Sequence, residues 1–344
     1  MKTIAQIGCG YWGPNVLRSI WQRADCKVKW VVDRDPDRRA FVESNFSGCC
    51  VVPDIGQVLD DPEVDGVVVV TPAETHFEIV KAALLADKHV LVEKPPALTS
   101  IETAEIFDLA KSRGRTLMVD HTFLYHAAVR HLRDLLAAGD VGDTCYIYTQ
   151  RLNLGQVRND VSAWWNLAPH DVSIILYLMD NCLPSQVVAT GMDYIQEGID
   201  DVVFASLVWP NRVTAQIHVS WLAPTKVRKV TVVGTEKMAV FDDGSDDKIA
   251  IYDRGIDRVP KMGLDHEFDE PKNFDLTYRR GNVVMPQIAM VEPLKVLFEH
   301  FVECMDNGRE PLTGSCHARA VTTVLEAVQQ SLDEGGRRID LPTS

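Results

Sequence analysis

The stretch "IAQIGCGYWGPNVLRSI" limits what this chain can fold into more than any other part of it. Glycines at positions 8, 10 and 13 stand between a strand-like apolar run and a segment whose apolar residues recur at helical spacing. A second strand-like run, "CKVKWVVD", follows and ends in Asp33, about 20 residues past the last glycine, the spacing of a dinucleotide-binding βαβ unit. Each glycine has a task. Gly8 permits the tight turn, Gly10 lets a pyrophosphate approach the backbone, and Gly13 lets the helix pack close to the strand. The phosphates would meet free N–H groups at the helix N-terminus. The competing reading is an ordinary strand-to-helix turn that needs glycines; the placing of Asp33 weighs against it.

Asp33 would bond the ribose hydroxyls and repel a 2′-phosphate, which favours NAD. Arg34 beside it could hold that phosphate, so NADP stays open.

The alternation continues through the first third. "DPDRRAFVESNF" reads as a helix with Pro36 at its first position. "VDGVVVV" reads as a fully buried strand, "HFEIVKAALLAD" as a helix and "HVLVEK" as a strand. "SIETAEIFDLAKSRG" is a helix ending in glycine, and "TLMVDH" closes the run. This predicts an α/β Rossmann domain, a doubly wound parallel sheet, over residues 1–121. After it the pattern changes to strand-like stretches joined by turns such as "WPNR" and "VGTEK". Residues 122–344 therefore read as an α+β domain with an open, mostly antiparallel sheet. Residues 253–287 are polar and charged with little periodicity and read as a long loop. Two helices finish the chain and could pack back on the first domain.

Formal net charge is −14, which argues against general affinity for nucleic acid or an anionic membrane. No apolar run is long enough to span a bilayer, and no signal peptide is evident. The eight cysteines are scattered with no C-x-x-C pair. Adjacent Cys49 and Cys50 could form a strained disulfide or bind metal; free thiols in a reducing cytoplasm are the plainer reading.

In open α/β sheets the ligand lies outside the carboxyl ends of the strands. "HVLVEKPPALTS" puts Lys94 at such an end, followed by two prolines that stiffen the turn. A lysine in a partly desolvated crevice has a lowered pKa and can give or take a proton. A surface lysine at a strand end is the alternative.

Taken together, "GCGYWGPN", "TPAETH", "VEKPP", "DHTFLYHAAVRHLRDLLAAGDVGD", "RLNLGQVRNDVSAWWNLAPHDVSIILYL" and "VEPLKVLFEHFVECMDNGREPLTG" resemble the Gfo/Idh/MocA oxidoreductases over almost the whole chain. They are most similar to the branch acting on nucleotide-linked sugars such as UDP-N-acetylglucosamine or its uronate at C3. The resemblance implies cofactor contacts from the turn residues Gly8, Gly10, Tyr11, Trp12 and Gly13, and from Asp33, Arg34, Thr71, Pro72, His76, Glu93 and Lys94. It implies that Lys94 lies near the nicotinamide and the reacting carbon, and that His170 is the acid/base candidate. It also implies a homodimer or homotetramer built on the open sheet. Two positions depart from the family pattern. Asn166 stands where many members carry the aspartate of D-x-x-x-H, and Leu297 stands where an acidic residue is expected.

A helix starting near 165–168 would put Pro169 in its first turn and His170 close to its N-terminus. The helix dipole and a nearby Lys94 would then keep the imidazole neutral, as a base for a hydroxyl proton must be. Asn166, four residues earlier, would share its helix face without adding charge. A structural histidine at a helix start is the alternative. A zinc site is disfavoured for want of further ligands, so no metal is expected. Asp171 reads equally as a helix-start charge or a substrate contact. Arg151, Asn153 and Arg158 lead towards the site, where a diphosphate would need cations; Arg279 and Arg280 are weaker candidates.

The chain is thus expected to be an NAD(P)-dependent oxidoreductase of a nucleotide-linked sugar, with hydride transfer at a ring carbinol carbon, C3 favoured, and its partner is expected to be a small-molecule sugar or nucleotide sugar rather than nucleic acid or membrane. The opposite direction, reduction of a keto-sugar, and a dinucleotide-binding sensor without turnover are the other readings.

Overall fold

Strand and helix alternate from the first residues of the computed structural model, which describes residues 1–155, 157–260 and 274–342. The strands β1 (Lys2–Ile7), β2 (Cys26–Val32), β3 (Cys50–Val52), β4 (Gly66–Val69), β5 (His89–Glu93) and β6 (Leu117–Asp120) form one sheet. Its order is β3-β2-β1-β4-β5-β6 and every neighbouring pair is parallel. The helices α1 (Gly13–Trp21), α2 (Pro36–Asn45), α3 (Gly56–Leu59), α4 (His76–Leu85) and α5 (Ser100–Arg113) cover it. All of β4 is buried, which is why it reads as an unbroken apolar run. Asp35 caps α2 by accepting the Asp37 N–H, with Pro36 at the start. Thr99 caps α5, and Gly114 ends it at φ +60°. Strand order reverses between β1 and β4, so a crevice lies beyond their carboxyl ends.

Among the described residues the second sheet has nine strands. They are β7 (Thr144–Leu152), β8 (Gln186–Met192), β9 (Val202–Val208), β10 (Thr214–Ser220), β11 (Val227–Gly234), β12 (Met238–Asp242), β13 (Ile249–Pro260), β14 (Phe274–Val284) and β15 (Ile339–Asp340). Their order is β14-β13-β12-β11-β7-β10-β9-β8-β15, antiparallel throughout except for β7 beside β10. The helices of this part are α6 (Ala127–Ala137), α7 (Ala163–Leu178), α8 (Pro293–Asn307) and α9 (Ser315–Asp333). α7 and α9 pack on each other and on one face of the sheet. The other face stays open, with Phe204 half exposed and stacked on His218 at 4.2 Å. α9 also reaches the first sheet's layer: Arg319 pairs with Asp108 of α5, and Thr103 donates to Thr322 at 3.3 Å. Trp164 is buried, with its indole N–H donating to Leu325 O at 3.0 Å. Trp165 donates to Gln329, also at 3.0 Å.

Two expectations are corrected here. Residues 253–260 and 274–284 are not loop; they belong to β13 and β14, which pair Arg254 with Arg280 and Ile256 with Tyr278. β14 is half-exposed or exposed along its whole length, so it carries no buried-face alternation from which a strand could be read. Of the rest of that stretch, 285–287 is in neither helix nor strand, as expected, and 261–273 lies outside the described residues. The second correction is the start of α7. It begins at Ala163, after Ser162, and Pro169 sits inside it. The tryptophans explain this: their anchoring on α9 extends the helix upstream of the proline, at the cost of the hydrogen bond that Pro169 cannot donate.

Among the described residues no helix is long and apolar enough to cross a membrane. All eight cysteines are free.

Candidate active site

The glycine turn between β1 and α1 makes one wall. Gly8 has φ +93°, and a Cβ there would lie 2.5 Å from the Val70 carbonyl oxygen, so only glycine fits. A Cβ on Gly13 would come to 3.0 Å from Gly8 O, which is the close approach of helix to strand. At Gly10 a Cβ would meet nothing within 4 Å, so that side of the backbone is open. Gln6 holds the turn from beneath, donating to Gly8 O at 2.9 Å and Gly13 O at 3.1 Å. No side chain caps the N-terminus of α1. Tyr11 is 86% and Trp12 40% exposed at the rim. An open backbone edge above uncapped N–H groups is what a pyrophosphate requires.

Asp33 lies at the end of β2. Its Oδ2 accepts the Cys9 N–H at 2.7 Å, and its Oδ1 accepts the Asp35 N–H at 2.9 Å. Each oxygen keeps a second lone pair for a ribose hydroxyl. Arg34 is exposed beside it. These residues fit a dinucleotide.

Across the crevice the turn after β4 carries Thr71 and Pro72. His76 is 1% exposed. Its Nδ1 is 2.7 Å from Pro95 O and its Nε2 2.8 Å from Thr71 O, so it ties two strand-end turns together. Two carbonyl acceptors favour the doubly protonated ring, while burial, the larger influence, lowers its pKa. The Thr71 hydroxyl accepts from Thr75 at 2.7 Å.

Lys94 follows β5. Its Nζ donates to the main-chain carbonyl of Asn166 in α7 at 2.8 Å, linking the two sheets' layers across the crevice. Burial lowers its pKa to about 8, opposed by Glu93 and reinforced by Arg151 and Arg158. Glu93 ends β5 beside it. Its Oε2 accepts the Lys94 N–H at 3.3 Å, and its Oε1 is buried.

His170 stands one turn beyond Asn166 in α7. Its Nδ1 is buried without a hydrogen-bond partner, and its ring meets Phe123 edge-on at 5.3 Å between centroids. Its pKa lies well below 6.5. The expected direction is right, and so is the expected contribution of Lys94; the helix-start part is not, since His170 lies inside the helix, and desolvation is the largest cause, followed by the Lys94 and Arg151 cations. The Asn166 Oδ1 accepts the Trp221 indole N–H at 3.2 Å.

The remaining candidates separate. Arg151 and Asp171 form a buried ion pair at 2.6 Å, with side chains 4% and 0% exposed. Asp171 is therefore no helix-start charge; it lies within α7. Arg151 also stacks over Phe123 at 4.5 Å, so it supports the ring that packs on His170. Asn153 accepts from Arg228 at 2.7 Å. Arg158 is exposed and pairs with Asp160. Arg279 is held by Asp253, Asp257 and Glu236. It and Arg280 sit on β14, four strands from β7, or about 19 Å at the usual strand spacing.

Sequence reasoning missed three residues. Arg228 is directly opposite Arg151 in the β11–β7 register; burial and Arg151 lower its pKa to about 10. His121 is buried with both ring nitrogens unpartnered, its pKa pushed well down by burial, His317 and Lys94. Asp120 ends β6 beside Glu93. Only the alternation of "VRKVTVV" hinted at Arg228; nothing local marked the other two. Among the described residues no group of His, Cys, Asp and Glu is placed to hold a metal ion.

A family model described as "Oxidoreductase family, NAD-binding Rossmann fold" matches residues 2–121, and one described as "GFO/IDH/MocA C-terminal domain" matches 129–240. The UDP-N-acetylglucosamine 3-dehydrogenase of Acidithiobacillus ferrooxidans is 29% identical over 67% of this chain and 71% of its own. A dTDP-3,4-didehydro-2,6-dideoxy-alpha-D-glucose 3-reductase of Saccharopolyspora spinosa is 33% identical over 41% of this chain and 42% of its own. The chain thus spans less than half of that reductase. The crystal structure of GenD2 from gentamicin A biosynthesis, in complex with NAD, shares the fold. Its TM-score is 0.82 at 22% identity, over 99% of this chain and 97% of that one.

Proposed function

Because the chain belongs to the Gfo/Idh/MocA oxidoreductase family, with an NAD-binding Rossmann domain, we propose that it moves a hydride between NAD and a ring carbinol carbon of a nucleotide-linked sugar, with C3 favoured. The observation that carries this reading is the meeting of Lys94 and α7. A strand-end lysine of the first sheet bonds the Asn166 carbonyl, one turn from His170, beyond the strand ends where the glycine turn stands. When bound, NAD supplies the hydride acceptor. His170, neutral at pH 7, takes the hydroxyl proton. Lys94 donates to the same oxygen, steadies the charge that develops on it and shares in the proton transfer. Asn166 orients the His170 face. Residues 1–121 carry the cofactor. Residues 122–344 carry the sugar and, through the open sheet face, the contact with further copies in a homodimer or homotetramer.

Arg228 supports the nucleotide link. Arg151 is neutralised by Asp171, which leaves Arg228 as a part-exposed cation beside the site. Arg228→Met should raise KM for a nucleotide sugar by about tenfold, with kcat little changed, in steady-state assays. An unchanged KM removes Arg228 from the substrate contacts.

The reverse direction, reduction of a keto-sugar, has the support of the Saccharopolyspora reductase. Bound-cofactor mass spectrometry with a hydride assay over UDP- and dTDP-sugars, run both ways, separates the readings. Cofactor bound with no turnover in either direction would instead favour a dinucleotide sensor.

Asn166→Asp adds a carboxylate on the His170 face. A negative neighbour favours imidazolium, so the His170 pKa rises and the base form is lost at higher pH. The acidic limb of the kcat/KM profile is expected to move upward in pH; a limb that stays put means His170 does not set it.

A further inference from the structure

We propose that Glu93 and Asp120 form a carboxyl pair sharing one proton, with a single negative charge between them, and that Asp120 is thereby a positioning residue for Lys94. The proposal rests on the reading that Lys94 works at the reacting oxygen, and it concerns what sets the charge of that lysine.

The geometry is that of two neighbouring strand ends. Glu93 and Asp120 are the last residues of β5 and β6 and stand opposite each other in the parallel register. Side chains at matched positions of adjacent parallel strands leave on the same face, with backbones about 4.8 Å apart. Asp120 is 3% exposed. One of its oxygens accepts the Thr122 hydroxyl. Glu93 Oε2 accepts the Lys94 backbone N–H, at 3.3 Å, and Glu93 Oε1 is buried with no partner of its own. Thr122 serves Asp120 from its backbone as well, and the two carboxyl groups bond each other. The two carboxyls therefore have few donors besides each other, and the Lys94 ammonium is directed elsewhere, to the Asn166 carbonyl.

Two adjacent desolvated negative charges with so few donors are strongly disfavoured. One proton between them removes one charge and supplies the donor that Glu93 Oε1 lacks. The proton rests mainly on Glu93. Burial and the Asp120 charge both push Glu93 up, whereas the Thr122 hydroxyl and Lys94 hold Asp120 back against burial. Lys94 then faces one negative charge from β5 and β6. Against it stand Arg151 on β7, Arg158 on the following loop, and the neutral rings of His121 and His170. A single counter-charge leaves the lysine able to gain and lose its proton near neutral pH. Two would fix it as ammonium, and none would leave it neutral.

The test uses the full chain without cofactor. Carbon-13 NMR of carboxyl-labelled Glu and Asp reads the pair directly in the unaltered protein, and one protonated and one ionised carboxyl are expected at neutral pH. Competitive acetylation of Lys94, read by mass spectrometry across pH, reports its pKa. E93Q/D120N removes the one charge and should lower that pKa by about one unit, a tenfold change in the protonation equilibrium. E93Q or D120N alone keeps one charge and supplies an amide donor, so Lys94 should shift by less than about half a unit. Two ionised carboxyls at neutral pH, a double variant that leaves Lys94 unmoved, or single variants that shift it as far as the double would each overturn the proposal. If the pair and Lys94 behave as stated but no sugar exchanges hydride with NAD, the functional reading fails and this one stands.

Discussion

Lys94→Ala is expected to lower kcat by about 10²-fold or more, with NAD binding retained. The lysine amine bonds the Asn166 carbonyl one turn from His170, and in the proposed reaction both groups act on one sugar hydroxyl. The lysine pKa of about 8 lets it work as donor or acceptor near neutral pH. His170→Ala should cost a similar factor, because in the proposed reaction His170 takes the hydroxyl proton; His121, the other buried imidazole near Lys94, should not replace it. Cofactor titration by fluorescence, alongside turnover, separates this outcome from loss of the cofactor site. Near-normal turnover in either variant removes that residue from the proton chemistry.

Arg151→Ala should act on stability before it acts on binding. Removing the arginine leaves Asp171 as an uncompensated charge in a fully buried position. Such breaks cost roughly 3–5 kcal/mol. The denaturation midpoint of the second domain should fall accordingly. Arg151→Met with Asp171→Leu should recover most of the loss, because apolar groups of similar volume need no counter-charge. Since Arg151 also stacks on Phe123, which packs edge-on against His170, the single variant should lose kcat as well. A single variant with unchanged stability but a raised KM would make Arg151 a substrate contact after all.

The glycine turn was legible because backbone geometry permits nothing else there. Gly8 has a positive φ and no room for a Cβ, and such a constraint shows in the sequence as an obligatory residue. Parallel strands buried on both faces were legible for a similar reason: β4 must be apolar throughout. Where a segment's shape is decided by distant contacts, the sequence misled. α7 starts upstream of Pro169 because Trp164 and Trp165 are tied to α9, some 160 residues away. β14 lacks a buried face, and so do residues 253–259 of β13, so nothing in those residues separates strand from loop. In the site, Lys94 and His170 stood out through their positions in motifs. Arg228 and Asp120 did not, because what gives them meaning is strand register: Arg228 opposite Arg151, and Asp120 opposite Glu93. The neutrality of His170 was foreseen, and the Lys94 cation contributes to it as expected, but its largest cause was not foreseen. That cause is burial, and burial is a property of the packed crevice rather than of the helix start.

The central claim, that hydride passes between a nucleotide-sugar carbon and NAD in this crevice, is tested most directly with UDP-N-acetylglucosamine deuterated at C3. The account expects deuterium to appear in the reduced cofactor, and Lys94→Ala and His170→Ala to lose that transfer while still binding NAD. It is contradicted if the protein binds NAD and the sugar, yet no label reaches the cofactor and no corresponding keto-sugar is reduced in the opposite direction.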